Sequence, residues 1–308
     1  MRNVLIFLLS LFSLLCNGQS PKLFTTDKEL SSSLINQIYQ DRNGFIWIAT
    51  EDGLNRYDGA KFTIYKHEPN NEHSLAHNFV RTVFEDSKGH LLIGTYIGIQ
   101  MYDPATDNFT PLAKLEDTGE TLESNINSFI ERKNGEIWVS GNVLCKLNIK
   151  DHLLTVRKVD IAVTSPGSLF EDKKQNVWMA KGEEGVYQLT PDNQLTLHLS
   201  KDNGYVKSIC EDQRGNIYVG SIRKGLFIYD KECKTFVPVD LKEKGELPVC
   251  FLYSGIPNEL YIGTDGKGVA IYNIRTHEIS EYKFDNNYFD SGNSKIHSIL
   301  KDNSGNLW

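Results

Sequence analysis

An all-β propeller of four-stranded blades, seven-bladed with the last blade incomplete, is the fold class that this 308-residue sequence predicts, on three observations. The first is a repeat. Residues 34–62 read as an apolar pair, an Asp, a Gly three on, an apolar-Trp-apolar core, a small residue with Thr or Ser, a Gly-apolar pair and an aromatic. The pattern returns at 82–102, 126–147, 169–189, 209–229 and 252–272, and opens again at 296–308. The second is its period. The central aromatics or their substitutes, Trp47, Leu92, Trp138, Trp178, Tyr218, Tyr261 and Trp308, lie 45, 46, 40, 40, 43 and 47 residues apart, the spacing of propeller blades or helical solenoids. The third decides between those two. Each unit holds short runs rich in Ile, Val, Tyr, Phe and Trp, divided by Asn-Gly, Asp-Gly or Lys-Gly turns, and none carries the period of an amphipathic helix.

Taken in order, the chain opens with an export signal over residues 1–18. Met1-Arg2 precedes an apolar run at 4–15, and the small residues of Cys16-Asn17-Gly18 fit cleavage before Gln19. The run is too short to span a bilayer. Acylation of Cys16 is the alternative, and the bulk of Leu15 argues against it. Residues 19–308 form the propeller. Residues 22–26 (KLFTT) read as a closing strand, the outer strand of the final blade, which would abolish an open sheet edge.

The first unit predicts strands at 34–40, 45–50, 54–57 and 62–67. Its second strand, FIWIAT, is apolar on both faces, so both must be covered. Neighbouring sheets in a ring do this for every blade. The blade units run roughly 34–67, 79–112, 126–158, 168–199, 206–239 and 249–284, with a partial unit at 296–308. That last unit supplies two strands only, so the sequence reads as a fragment of a longer chain cut inside a blade. The residues expected to build the repeat are Asp41, Gly44, Trp47, Gly53, Asp86, Gly89, Trp138, Trp178, Asp212, Gly215, Tyr218 and Tyr261.

Loop lengths make the two faces of such a disc unequal. One face carries the short Asp-x-x-Gly and Tyr-Asp turns. The other carries the second-to-third-strand turns and the long, dissimilar links at 68–78, 113–125, 200–205, 240–247 and 285–294. Function concentrates on variable loops held by a rigid scaffold, so a ligand is expected on this second face. The candidate ligand-binding tips there are Glu51, Asp52, Tyr96, Asn142, Glu183, Arg223, Lys224, Asp265 and Lys267. An aromatic with acids and an Arg suits stacking and hydrogen bonding to a sugar.

Other constellations have plainer readings. The pairs Glu85-Asp86, Glu171-Asp172 and Glu211-Asp212 look like glycosidase carboxylates, but they recur at one repeat position where the Asp starts a turn. His67, His73 and His77 sit in a Pro- and Asn-rich link, not on a helix that would align them for a metal. Residues 263–268 resemble a glycine box yet precede a strand. Cys145, Cys210, Cys233 and Cys250 occupy unrelated repeat positions and read as buried free thiols. No catalytic signature, metal site or cofactor is expected, and a net charge of -7 argues against nucleic acid as partner.

The motif Asp41-x-x-Gly44-x-Ile46-Trp47-Ile48-Ala49-Thr50-x-x-Gly53-Leu54-x-x-Tyr57-Asp58, and its copy from Asp86 to Thr95, resemble the two-component regulator propeller repeat. The leading segment resembles the start of the exported sensor region of bacterial hybrid two-component systems. Leu92, Tyr218 and Tyr261 depart from the family's Trp, and the sixth unit lacks the Asp. The resemblance implies a periplasmic sensor that binds an oligosaccharide, with further propeller and sandwich domains, a membrane anchor and a histidine kinase elsewhere in the same chain, acting as a homodimer. By that reading the fragment itself is not an enzyme. A lyase-like propeller enzyme and a plain protein-interaction propeller are the rival classes.

Overall fold

The computed structural model describes residues 22–199, 204–241, 247–282 and 295–308. The predicted signal segment and the link 285–294 lie outside these residues, as do parts of the links at 200–205 and 240–247. Among the described residues six antiparallel sheets follow one another along the chain, five of four strands and one of four strands joined by a fifth, parallel one. Blade 1 comprises β1 (Ile35–Gln40), β2 (Ile46–Thr50), β3 (Gly53–Tyr57) and β4 (Phe62–Tyr65). Blade 2 comprises β5 (Val80–Glu85), β6 (Leu91–Thr95), β7 (Ile99–Asp103) and β8 (Asn108–Phe109). A short β9 (Lys114–Leu115) then runs parallel to the outer strand of blade 3. Blade 3 holds β10 (Ser128–Glu131), β11 (Ile137–Ser140), β12 (Leu144–Lys150) and β13 (Leu153–Lys158). Blade 4 holds β14 (Leu169–Glu171), β15 (Val177–Lys181), β16 (Gly185–Leu189) and β17 (Leu195–Leu199). Blade 5 holds β18 (Val206–Glu211), β19 (Ile217–Ser221), β20 (Gly225–Asp230) and β21 (Thr235–Pro238), and blade 6 holds β22 (Val249–Ile256), β23 (Glu259–Thr264), β24 (Val269–Asn273) and β25 (Ile279–Glu281).

The expected seventh blade is corrected to six. Residues 295–308 form no sheet of their own: they make two isolated bridges, Asp265↔Lys295 and Lys301↔Leu307. Residues 22–26 form no strand either. Without outer strands the segment remains a bridged hairpin, held by its neighbours. Lys301 donates its amide to the Tyr253 hydroxyl of blade 6 at 3.1 Å. On its other side Ile38 donates to Ser298 Oγ at 3.1 Å, and Asn303 donates to Gln40 Oε1 at 2.7 Å. Phe24 stacks on Trp308 with ring centroids 5.7 Å apart. The hairpin thus joins blade 6 to blade 1.

The core lies between blades, as the doubly apolar second strands require. Every residue of β2, β6, β11 and β19 is buried. Trp47 is fully buried and meets Tyr102 of blade 2 edge-on at 4.9 Å, and Trp178 meets Tyr229 of blade 5 at 5.0 Å. Apolar clusters bridge each successive pair of blades, and two more bridge the hairpin to blades 6 and 1. Close approach depends on a small residue after the central apolar pair. It is Gly in three blades, Ala49 and Ala180 in two, and Ser140 in one. A Cβ on Gly220 would lie 2.4 Å from Val249 Cγ1 of the next blade.

The Asp-x-x-Gly turn explains the rest of the repeat. Asp41 accepts the amides of Asn43 and Phe45, both at 3.0 Å, and the Trp47 indole N–H at 2.8 Å. Asp172 does the same for Lys174, Asn176 and Trp178, and Asp302 for Ser304, Asn306 and Trp308. Gly44 takes φ of 90°, a conformation that disfavours side chains. Blade 3 has Arg132 in place of the Asp, and there the Trp138 indole turns to Glu136 at 3.1 Å.

Candidate functional site

The innermost strand of each blade has a free edge, because its partner lies on one side only. The chain satisfies these edges with side chains from the preceding blade. The amides of Val83, Leu169 and Leu252 are accepted by Gln37, Ser128 and Ser208 at 2.7, 3.3 and 3.1 Å. Asn36 and Asn127 donate to the carbonyls of Val80 and Pro166 at 2.8 and 3.1 Å. An inner strand that buried an unpaired amide would be penalised by about 1–3 kcal/mol. These short polar side chains are therefore structural.

Inside the inner strands runs a funnel of about 860 Å³. It opens on the face bearing the second-to-third-strand turns, since Glu51, Gly182, Glu183 and Glu184 line it. One side chain per segment faces the axis at equivalent positions: Asn36, Arg81, Asn127, Lys207, Cys250 and His297, with Gly167 in blade 4. Register explains four of them. The pairings β1–β2, β5–β6, β18–β19 and β22–β23 each skip one residue, respectively Asn36, Arg81, Lys207 and Cys250. Such bulges re-aim a side chain out of the sheet, here toward the axis.

The axial ring is cationic. Among the described residues the Arg81 guanidinium, the Lys207 ammonium and the His297 ring have no hydrogen-bonding or ion-pairing partner; Arg81 lies over the Phe79 ring at 5.7 Å. Burial lowers the pKa of Arg81, opposed by Tyr205, Glu51 and Tyr96. Burial also lowers that of Lys207, which Lys295 and Arg81 depress further while Cys250 and Asp265 oppose. His297 is held below its ordinary value by burial and then by Lys207 and Lys295. Lys181 at the rim is neutralised by Glu184 at 2.7 Å. Aromatic rings stand beside the charges: Phe79 and Tyr205 line the funnel, and Tyr96 stacks on Phe79 at 5.9 Å and 4°. Tyr96 and Tyr205 are 50% and 42% exposed.

Of the nine tips expected from sequence to meet a ligand, Glu51 and Glu183 line the funnel. Tyr96 reaches it through Phe79. Arg223 pairs with Glu183 at 3.6 Å on the open rim. Asp52 is held by Lys66 at 2.6 Å and Asn78 at 3.0 Å, and Asp265 by Lys295 at 2.9 Å. The backbones of Asn142, Lys224 and Lys267 are tied to Ser124, Ser221 and Thr264. Sequence reasoning missed Arg81, Lys207 and His297. The signal was available, since Asn36, Arg81, Lys207 and His297 each stand five residues before a turn Asp: Asp41, Asp86, Asp212 and Asp302.

The paired carboxylates have structural partners. Asp86, Asp172 and Asp212 anchor their turns, while Glu85 and Glu171 accept the amides of Arg42 and Lys133 from the preceding blade, both at 2.7 Å, and Glu211 accepts that of Lys173. Glu131, at the same position of blade 3 but followed by Arg132, accepts the Ser87 amide at 2.7 Å. His67 and His73 contact the carbonyls of Leu75 and Phe109 through Nδ1, and His77 Nδ1 accepts the Phe79 amide. No group of three or more His, Cys, Asp or Glu placed to hold a metal occurs among the described residues. The turn at 263–268 closes through Thr264 Oγ1 on the Gly268 carbonyl at 2.6 Å and leads into a strand. Among the described residues the four cysteines are unpaired; Cys145 and Cys250 are buried, Cys210 is half-buried, and Cys233 is exposed instead of buried as expected. No helix among the described residues is long and apolar enough to cross a membrane.

The chain carries two component regulator propeller repeats: that family matches residues 29–52, 74–96 and 200–223. A histidine kinase of Formosa agariphila is 39% identical over 83 residues, which cover 25% of this chain and 6% of that protein. Among solved structures, the extracellular domain of a hybrid two component system from B. thetaiotaomicron superposes with a TM-score of 0.78 at 22% identity, over 93% of this chain and 40% of that one. Virginiamycin B lyase from Staphylococcus aureus superposes with a TM-score of 0.67 at 12% identity, over 92% of each chain. At these identities the structures share the fold. The chain spans less than half of the first of them and a small fraction of the curated relative.

Proposed function

We propose that this chain is the extracytoplasmic sensing propeller of a hybrid two-component system, that it takes an oligosaccharide in the axial funnel, and that binding is relayed to a histidine kinase in the same protein. The observation that carries the reading is the funnel mouth. Rings of Phe79, Tyr96 and Tyr205 stand beside Glu51, Glu183 and Arg81, a mixture of flat apolar faces and fixed polar groups. Sugar rings present the complementary surface, with C–H faces for stacking and hydroxyls for hydrogen bonds. The repeat match and the histidine kinase relative support a signalling context, and the fold likeness to extracellular domains supports export. Sensing is preferred over hydrolysis because the carboxylates that look catalytic already hold turns and adjacent blades together.

Calorimetry of the full-length protein against a panel of plant and algal oligosaccharides tests this. One class is expected to bind, and Tyr205→Ala is expected to weaken it about tenfold by removing a stacking face. Cleavage of the glycan, or a panel without any binder, defeats the reading.

A further inference from the structure

The charge of the ligand can be argued from the same funnel, and this step rests on the saccharide reading. Two of the axial positions hold the cations Arg81 and Lys207, a third holds His297, whose protonation burial and Lys207 oppose, and none holds an acid. This concentration stands against the chain's balance, which carries 40 acidic residues to 33 Lys and Arg. The equivalent Asn36 and Asn127 reach across to the next blade and are satisfied there. Arg81 and Lys207 are as enclosed as their neighbours yet form no hydrogen bond or ion pair among the described residues. A partly desolvated cation without a partner is costly, and gathering several about one axis adds mutual repulsion.

The acids that face the cluster do not neutralise it. Glu51 acts on Arg81 from the rim without forming an ion pair. Asp265 is engaged by Lys295, itself a further cation beside Lys207. Glu184 is engaged by Lys181, and Glu183 by Arg223. The inward charge is thus positive, and the two free cations differ in kind: a planar fork suited to carboxylate or sulfate oxygens, and a compact ammonium. A funnel of about 860 Å³ also has room for more than a simple ion.

We infer that the axial funnel selects an acidic saccharide, with its carboxylate or sulfate held between Arg81 and Lys207 and its rings against Tyr205 and Phe79. The test is calorimetry of the full-length protein with two matched pairs, trigalacturonate against its methyl ester and lactose 3′-sulfate against lactose, with inorganic sulfate alone as a further probe. Binding of a charged member at least tenfold tighter than its neutral partner is expected, weakening with added salt. Arg81→Gln and Lys207→Gln should each reduce that binding tenfold or more while thermal unfolding stays unchanged. The responding pair distinguishes a uronate from a sulfated sugar. Equal binding within both pairs, untouched by either substitution, overturns the inference and leaves the saccharide reading standing. Binding of inorganic sulfate alone, lost in Lys207→Gln, overturns both in favour of a free-anion site. No binding of any charged probe at millimolar concentration also overturns the inference.

Discussion

Glu171 receives Arg132 across the interface between blades 3 and 4, Oε1 to Nε at 2.8 Å, while its second oxygen accepts the Lys133 amide at 2.7 Å. Both side chains are largely buried, at 7% and 13% exposure. The same latch recurs as Glu85 on Arg42 and Glu131 on Ser87. Glu171→Ala takes the acceptor from Arg132 Nε and from the Lys133 amide, while the guanidinium keeps the Gln175 carbonyl at 3.3 Å and Glu136 at 3.8 Å, and a loss of about 1–3 kcal/mol is expected in urea unfolding. Glu171→Gln keeps one acceptor and should lose less. Equal stability of the wild type and the Ala variant would show that the latch contributes nothing.

Blade spacing gives a second expectation. The Gly220 backbone admits Val249 so closely that any side chain collides with it. Gly220→Val should destabilise by about 1–3 kcal/mol through overpacking, and Val249→Ala added to it should recover part of the loss. Additive losses in a double-mutant cycle by chemical denaturation would place the strain elsewhere.

Acid sensitivity should track Glu136. Its carboxyl is lowered from 4.5 to about 2 by the Lys146 ammonium at 2.6 Å, against the opposing effect of burial, with the Trp138 indole also donating to it. A depressed carboxyl stabilises the fold above its unfolded value of 4.5, and that contribution fades as pH falls toward about 2. Glu136→Gln should therefore melt below the wild type at pH 6 and converge with it near pH 2. A difference that is constant across this window would remove the ionised carboxylate as its source.

Thiol reactivity should divide the cysteines. Burial pushes Cys145 up to about 11 and Cys210 to about 12, while Cys233 is exposed. Thiolate is the reacting species. Maleimide at pH 7.5 should label Cys233 within minutes and leave Cys145 and Cys210 unmodified until denaturant is added, as read by peptide mass mapping.

The repeat was legible because its causes are local. Asp41 reaches only two, four and six residues ahead, so sequence spacing reports the turn directly. Blade count was not, because residues 296–308 match the repeat without strands to complete a sheet, and the bonds that hold them come from Tyr253 and from donors and acceptors on β1. The side of the disc that bears Glu51 and Glu183 was legible from loop lengths, and both residues line the funnel. Its floor was not: Arg81, Lys207 and His297 share a position but no residue type, and the bulges that turn Arg81 and Lys207 inward are a matter of strand register.

The bond between Asn303 and Gln40 joins residues 263 apart in the chain. Hairpins within each blade form from near neighbours and need no such search, whereas this buckle can fasten only after the intervening arc has assembled. Until then Ile46 and Ile48, which pack toward Leu300 and Trp308 in the finished molecule, face water. Fastening the ring and covering this apolar pair are thus one and the same event.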